Sequence, residues 1–464
     1  MGVVLLRGIT WRSFVLVAFE ACLIVGGIVL SAWLRLGRDV DWLLEQEHFL
    51  GKALLVAAVC QIALYFSDLY DLKVVADRRE LFVRLMQALG VTSVVLGLLY
   101  YWFPNLVIGR GVFLVAAFVI LALVAGWRVG FEWITRAMGP RERLLLVGTN
   151  QAAVDLAREL HARRDLGVRV VGFIDPDASK VGTPVFNPGV VGTVADIPTI
   201  VSSNQIDRVV VSMSDARGRL PMDQLLDMKL RGVRFDHLAD VYEEYTGKIA
   251  LENLRPSWLV FNPGFRKSRG LLAVKRASDV AGASLLGVLT LPLTALVAAA
   301  VRLSSPGPVL YHQARVGQDG RVFTIHKFRS MRADAEAETG AVWAQRDDAR
   351  ITPVGRILRR TRLDELPQLW NVLKGDMSFV GPRPERPEFV AQLTEQIPFY
   401  GQRHVVKPGL TGWAQVSYTY GASVEDAMEK LQYDLFYVKN MSSALDLFIL
   451  FSTLKTVIRR RGSR

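Results

Sequence analysis

Two adjacent carboxylates, Asp364 and Glu365, stand in the run Arg359-Arg360-Thr361-Arg362-Leu363-Asp364-Glu365-Leu366-Pro367, with Gly381-Pro382-Arg383-Pro384 shortly after. Guanidinium groups neutralise phosphate oxygens, and a carboxylate among them serves as nucleophile or metal ligand. The composition is therefore that of phosphoryl transfer. The element that must hold these groups is a helix, because Leu366, Leu369, Trp370 and Leu373 follow the i, i+3, i+4, i+7 spacing. Asp364 is expected at its N-cap and Pro367 in its first turn, where a missing N–H costs nothing. A carboxylate there feels the positive helix end, which keeps it ionised and attracts phosphate. The competing explanation is a solvated salt-bridge cluster, which accounts for most isolated charge runs.

At 464 residues the chain has room for two or three domains. A net charge of +12 suits nucleic acid, an anionic leaflet or phosphorylated substrates, so sign alone does not choose. Cys22 and Cys60 lie in apolar stretches and give neither a disulfide framework nor metal-ligand spacing, as in a reducing compartment. Four apolar stretches, near residues 14–34, 50–66, 82–103 and 112–133, approach the length that spans hydrocarbon. The first is too long for a cleavable signal and lacks a clear cleavage site. Arg7 and Arg12 precede it, Lys73, Arg78, Arg79 and Arg84 flank the second link, and Arg136, Arg141 and Arg143 follow the fourth stretch. That distribution puts both ends of the bundle in the cytoplasm. Glu20 has no obvious relay partner, so it is read as buried against neighbours or water rather than as functional.

From Arg143 to about Phe265 the pattern changes to short β-rich runs alternating with helices, which implies a parallel, Rossmann-like sheet. Its dinucleotide fingerprint is damaged. The three small positions read Gly148, Asn150 and Ala153, and Asp175 sits beyond the usual ribose-binding distance. A scaffold or regulatory role is expected here over nucleotide binding. Tyr242 to Lys248 holds tyrosines and a lysine but no Tyr-x-x-x-Lys pair, which weakens a dehydrogenase or epimerase reading.

A fifth apolar run, Val280 to Val301, has Lys275 and Arg276 before it, Arg302 after it and Pro292 near its middle. An interior proline removes a helix hydrogen bond and bends the helix. A segment that enters, bends and returns, and a kinked spanning helix, are equally compatible with that composition. Topology chooses only if the site uses cytosolic substrates. A fifth crossing would export Arg315, Lys327 and the Asp364–Glu365 pair.

The stretch from about Ala273 to Arg464 resembles the monotopic phosphoglycosyl transferases that initiate bacterial surface-polysaccharide assembly. The resemblance rests on collinear motifs: Ser305-Pro306-Gly307-Pro308-Val309, Arg315-Val316-Gly317, Lys327-Phe328-Arg329-Ser330-Met331 and Leu363-Asp364-Glu365-Leu366-Pro367-Gln368-Leu369. They continue with Asn371-Val372-Leu373-Lys374-Gly375-Asp376-Met377-Ser378, Val380-Gly381-Pro382-Arg383-Pro384 and Lys407-Pro408-Gly409-Leu410-Thr411-Gly412-Trp413-Ala414-Gln415-Val416. The resemblance implies transfer of a sugar-1-phosphate from a UDP-sugar to undecaprenyl phosphate. It implies Asp364 as nucleophile forming a covalent phosphosugar, and Glu365 with Asp364 holding Mg²⁺. Lys327, Arg359 and Arg383 are implied as phosphate-binding, and Asp434 as a further acidic site residue. Implied partners are the sugar nucleotide, the lipid carrier and membrane lipids, with no nucleic acid; the apolar bundle and the middle domain each offer a surface for a homodimer.

The expected architecture is a multidomain protein of the bacterial inner membrane. It has a four-helix transmembrane bundle over 1–138, a Rossmann-like α/β domain over 139–266, and an α/β phosphoglycosyl transferase domain over 267–464 with a re-entrant helix at about 276–303. Two departures from the family pattern stand out. Leu291-Pro292 replaces a Ser-Pro break, and Ser417-Tyr418-Thr419-Tyr420-Gly421 follows the Trp-Ala-Gln-Val stretch in place of Asn-Gly-Arg. This tyrosine-bearing variant is similar to the exopolysaccharide enzymes associated with exosortase systems and leaves open the sugar, with glucose or galactose expected. His326 and His404 lack metal spacing and are read as structural or substrate-adjacent. Tyr418, Tyr420, Tyr433 and Tyr437 either stack on a ligand ring or pack. Leu445 to Ile458 with Arg459, Arg460 and Arg461 reads as an interfacial helix with a basic end. Two rivals remain at this point: a non-catalytic membrane scaffold or regulator, and a nucleotide-sugar epimerase or dehydratase acting through the middle domain.

Overall fold

The computed structural model describes residues 11–37, 48–67, 69–70, 78–108, 110–137, 142–163, 166–212, 222–251, 262, 264–332, 335, 350–418, 421 and 423–458. Arg7, Lys73, Arg141, Tyr420 and Arg459 to Arg461, which entered the expectations above, lie outside these residues. The chain divides into two compact units, Met1–Leu238 and Ala239–Arg464, upstream of the expected 266/267 boundary.

In the first unit, α1 (Trp11–Leu36), α2 (Phe49–Phe66), α3 (Arg78–Trp102) and α4 (Arg110–Ala137) share one apolar core that includes Ile28, Phe49, Leu85 and Val112. Each contains a stretch long and apolar enough to cross a membrane. Exposed Trp33, Tyr101 and Trp102 crowd one end of the bundle and Trp133 the other, the placement of interfacial aromatic belts. Glu20 has a partner the sequence reading did not supply. The Arg128 guanidinium pairs with both its carboxylate oxygens, at 2.6 and 3.0 Å, and both side chains are fully buried. Arg128 also donates to the Leu69 carbonyl and lies over the Tyr70 ring. The acid is buried against a neighbour, as expected, but in a closed ion pair.

The same unit carries five parallel strands, β1 (Glu142–Val147), β2 (Val168–Ile174), β3 (Val190–Gly192), β4 (Arg208–Val211) and β5 (Arg234–His237), in the order β3-β2-β1-β4-β5. The order reverses at β1, as in a doubly wound mononucleotide-binding half. Asn150 is the N-cap of α5 (Gln151–Ala162): its Oδ1 accepts from the Ala153 amide, and its Nδ2 donates to the Ser212 carbonyl. Asp175 is occupied too, accepting from the Thr149 hydroxyl at 2.5 Å and pairing with Lys180 at 3.2 Å. Both side chains are thus engaged by hydrogen bonds within this unit.

The second unit begins with a short helix, α6 (Leu238–Thr246, its first residue just across the division), and then α7 (Arg269–Ser304), a single 36-residue helix containing Pro292. Leu285, Val288, Leu289, Leu291 and Leu296 on it are exposed, whereas both ends are docked. Arg276 donates at 2.6 Å to the Val372 and Leu373 carbonyls, and Asp279 accepts from Ser378 and the Phe379 amide at 3.0 Å. Ala283 packs in a cluster with Ile325, and Val297 and Val301 in one with Phe328 and Leu358.

The rest of the second unit is a hairpin of β6 (Leu310–Val316) and β7 (Val322–Phe328), followed by α8 (Pro353–Thr361), α9 (Gln368–Lys374), β8 (Ser378–Val380), α10 (Pro387–Gln396), β9 (Gly409–Thr411), α11 (Trp413–Ser417), α12 (Val424–Asn440) and α13 (Ser443–Ile458). Strands β8 and β9 pair in parallel so closely that a Cβ on Gly381 or Gly409 would overlap the facing backbone. That contact is what the glycines of the Gly-Pro-Arg-Pro and Lys-Pro-Gly motifs permit. On α13, Leu447, Phe451 and Leu454 are exposed, the apolar face expected of an interfacial helix.

Candidate active site

Arg362 adopts φ +58° and ends α8, whose last turn carries Arg359 and Arg360. The chain then makes a 3-10 turn, Leu363–Glu365, before α9 begins after Pro367. The N-cap expectation for Asp364 is thus corrected. The proline, unable to donate, takes the cap position, and the carboxylates sit one turn earlier, wedged between the end of one helix and the start of the next. The left-handed Arg362 turns them inward.

All six residues expected at the site line one cavity of about 500 Å³: Lys327, Arg359, Asp364, Glu365, Arg383 and Asp434. Pro292 does not; it lies in the exposed apolar part of α7. Lys327 reaches the cavity because β-alternation sends it, with its cross-strand partner Tyr311, to one face of the hairpin. Asn371 on α9 fixes that strand, donating to the Thr324 carbonyl at 2.7 Å and accepting from the His326 amide at 3.2 Å. Arg359 donates to the Ser330 hydroxyl at 2.9 Å, a contact permitted by Gly355, where any Cβ would overlap the Ser330 carbonyl.

The two carboxylates are electrostatically unlike. Glu365 Oε1 faces three cations, Lys327 at 3.4 Å, Arg362 at 3.6 Å and Arg383 at 3.9 Å. Burial works against its charge, but Lys327, Arg383 and Arg362 outweigh it and carry the pKa down to about 2. Asp364 goes the other way: burial and the neighbouring Glu365 charge raise it above the ordinary value despite Lys327, Arg359 and Arg362. Burial also lowers Lys327. Among the described residues, Asp364 Oδ1 is buried with no hydrogen-bond partner. The arrangement is one permanently ionised carboxylate clamped by cations beside a second, more basic carboxylate with a free oxygen.

Asp434 is used differently from the other five. Arg403 donates to its Oδ2 at 3.0 and 2.7 Å, to the Tyr400 hydroxyl at 2.7 Å and to the Arg383 carbonyl at 3.0 Å. Burial opposes the Arg403 charge, but Tyr400, Asp434 and Glu385 hold its pKa above the usual value. Arg403 therefore links Asp434 to the backbone of Arg383. Sequence reading missed it, because its partner lies far along the chain. Arg315 was noted only inside a motif; it also lines the cavity, donating to the Pro384 carbonyl at 3.0 Å.

The other expectations separate. His326 faces His312 across the hairpin, Nδ1 to Nδ1 at 2.8 Å, in the alternation opposite to Lys327. Burial and its cationic neighbour Arg403 lower His404 to about 4. Tyr418 lines the cavity and donates to Asp426 at 2.7 Å, Tyr433 packs behind it, and Tyr437 is buried, donating to Asp446.

Residues 271–460 match the family described as bacterial sugar transferase, and residues 65–220 match a CoA-binding domain. The chain is 34% identical over 336 residues to UDP-glucose:undecaprenyl-phosphate glucose-1-phosphate transferase of Escherichia coli (strain K12), covering 70% of each chain. It is 34% identical over 369 residues to undecaprenyl-phosphate glucose phosphotransferase of Komagataeibacter xylinus, covering 72% of this chain and 66% of that one. Against UDP-N-acetylgalactosamine-undecaprenyl-phosphate N-acetylgalactosaminephosphotransferase of Aeromonas hydrophila it is 42% identical over 228 residues. That match takes in 49% of this chain and spans about half, 53%, of the relative's length.

Proposed function

This chain belongs to the bacterial sugar transferase family, and on that premise we propose that it moves a sugar-1-phosphate from a UDP-sugar to undecaprenyl phosphate, starting an exopolysaccharide repeat unit. The observation that carries the reading is the unlike carboxylate pair inside one cation-lined cavity. In the first step Asp364 attacks the phosphorus bearing the sugar; the carboxylate–phosphorus bond forms as the bond to the UMP oxygen breaks. In the second, a phosphate oxygen of the lipid attacks the same phosphorus and returns the carboxylate. A raised pKa suits Asp364 to attack, since a more basic carboxylate is the better nucleophile once ionised. Lys327, Arg359 and Arg383 neutralise the diphosphate that would otherwise repel it. Two half-reactions let a soluble and a membrane-bound anion use one cationic site in turn.

Mg²⁺ fits this donor set: it needs only one or two carboxylates, the rest being phosphate oxygens and water, and Asp364 Oδ1 is a free buried acceptor with Glu365 adjacent. Bound there, it would neutralise phosphate charge. The catalytic unit is proposed to lie on the cytoplasmic face of the bacterial inner membrane, with α7 entering and returning through Pro292. The docking of α7 on one body at points either side of Pro292 supports that path. The regulator and epimerase readings gain nothing from the occupied Asn150 and Asp175.

The test is a nanodisc assay with radiolabelled UDP-sugars, undecaprenyl phosphate and Mg²⁺. UMP release and, without lipid, a labelled protein are expected, both lost in Asp364→Asn. Label retained on that variant would refute the nucleophile assignment.

A further inference from the structure

The segment Leu238 to Leu251 lies between the two matched regions, which end at 220 and begin at 271. Sequence reading found in it tyrosines and a lysine without a catalytic spacing. In the structure its residues from Ala239 on are stitched to the catalytic unit at four successive points. Glu243, buried, accepts from Lys439 at 2.6 Å and from Asn440 at 2.8 Å. The Gly247 carbonyl accepts from the Trp413 indole at 2.8 Å. Lys248 pairs with Glu429 and lies 5.3 Å over the Tyr433 ring. The Ile249 amide donates to the Gln432 carbonyl at 3.1 Å, and its side chain is buried with Leu393, Tyr400 and Phe436.

Apart from Trp413 on α11, the anchoring residues fall on one side of α12. The opposite side, Ala427, Lys430 and Asp434, at i, i+3 and i+7, lines the cavity. Helix α12 is thus held between the segment and the site. Behind the cavity wall the contact continues through rings: Tyr433 tilts against Tyr418 at 6.3 Å and meets Trp413 edge-on at 6.4 Å. Tyr418 is the wall residue in the stretch where the sequence departs from the common family pattern, and its hydroxyl is fixed by Asp426. This side of the cavity is therefore held from two directions, by the Arg403–Asp434 pair on the cavity face of α12 and by what packs behind the helix.

We propose that Lys248 is a positioning residue for the sugar-nucleotide donor, acting through the Glu429–Tyr433–Tyr418 contacts that fix the far wall of the cavity. The inference rests on the donor reading above. Asp364, Glu365 and their cations sit on other elements, and the link from α12 to the Arg383 backbone runs through Asp434 and Arg403, on the opposite side of the helix from Lys248. Loss of the lysine should weaken donor binding and leave turnover at saturation alone. The opposite split, loss of kcat at unchanged KM, would mean that α12 acts on the chemistry itself.

The test compares full-length wild type, Lys248→Met and Lys248→Arg in nanodiscs. Donor KM, the inhibition constant of UMP, kcat and the melting temperature are measured. For Lys248→Met, KM should rise roughly fivefold to tenfold, the scale of one partly buried ion pair with a cation–π contact. Its kcat should stay within about twofold, and Lys248→Arg should restore most of the loss. An accompanying rise in the UMP inhibition constant assigns the wall to the nucleoside; an unchanged one assigns it to the sugar. Unchanged KM in Lys248→Met, or a fall in kcat alone, overturns the proposal. A wild type inactive with every UDP-sugar overturns the functional reading instead, so the two failures are distinguishable.

Discussion

Replacing Asp434 by Asn removes the counter-charge from an arginine that cannot lose its own. Arg403 is 5% exposed and Asp434 2%, with bonds at 3.0 and 2.7 Å to a single carboxylate oxygen. Breaking such a pair by deleting one partner costs about 3–5 kcal/mol, because the remaining charge stays out of water. A unit the size of Ala239–Arg464 loses about 2–4 °C of melting temperature per kcal/mol. The Asn variant should therefore melt roughly 6–20 °C lower. The lower half of that range is expected, since the Tyr400 hydroxyl still accepts from Arg403. Scanning fluorimetry in nanodiscs reads the shift. The double variant Asp434→Leu/Arg403→Met, which removes both charges, should recover most of the stability. It should not recover donor affinity, because the Arg383 carbonyl loses its bond to Arg403. If Asp434→Asn melts within about 1 °C of wild type, or the double variant melts as low as the single one, Asp434 is not the counter-ion of a strut. It would then more plainly be a ligand-binding acid, as the sequence first suggested.

Further outcomes follow from the structure. Asp364 must be ionised to attack, and its pKa lies above the ordinary 3.8, so the acid limb of the pH–rate profile should fall at a higher pH than an ordinary aspartate gives. Glu365, at about 2, stays charged throughout; its depressed pKa contributes stability present above its unfolded value of about 4.5 and lost as pH falls towards 2. With His404 at about 4 and His326 also lowered, an inflection near pH 6.5 abolished by His404→Gln would contradict this assignment. Gly355→Ala forces a methyl into the Ser330 carbonyl, so a loss of about 1–3 kcal/mol with a raised donor KM is expected in melting and kinetic assays. Single cysteines at Ser268 and Ser305, with Cys22 and Cys60 replaced by serine, should both react with an impermeant maleimide from the same side of the membrane. Labelling from opposite sides would make α7 a crossing helix.

What could be read from the sequence was what depends on neighbours in the chain. The apolar stretches, the strand–helix alternation and the motif-borne charges Lys327, Arg359, Asp364, Glu365 and Arg383 are local patterns, and the fold gathers those charges into one cavity. The local reading failed at Asp364 for a local reason too. It placed one helix start where a left-handed Arg362 and a 3-10 turn divide two helices.

Tertiary structure alone decided which groups became partners. Nothing in the spacing of Glu20 and Arg128, Arg403 and Asp434, or Lys248 and Glu429 announces a pair, because their attraction is felt only after distant segments have packed. Folding also divided two adjacent carboxylates into opposite roles. Glu365 was turned towards three cations and Asp364 was left buried with one unbonded oxygen. The types and order of residues set which charges are available, whereas burial and distance set how strongly each is held, and those exist only in the folded chain.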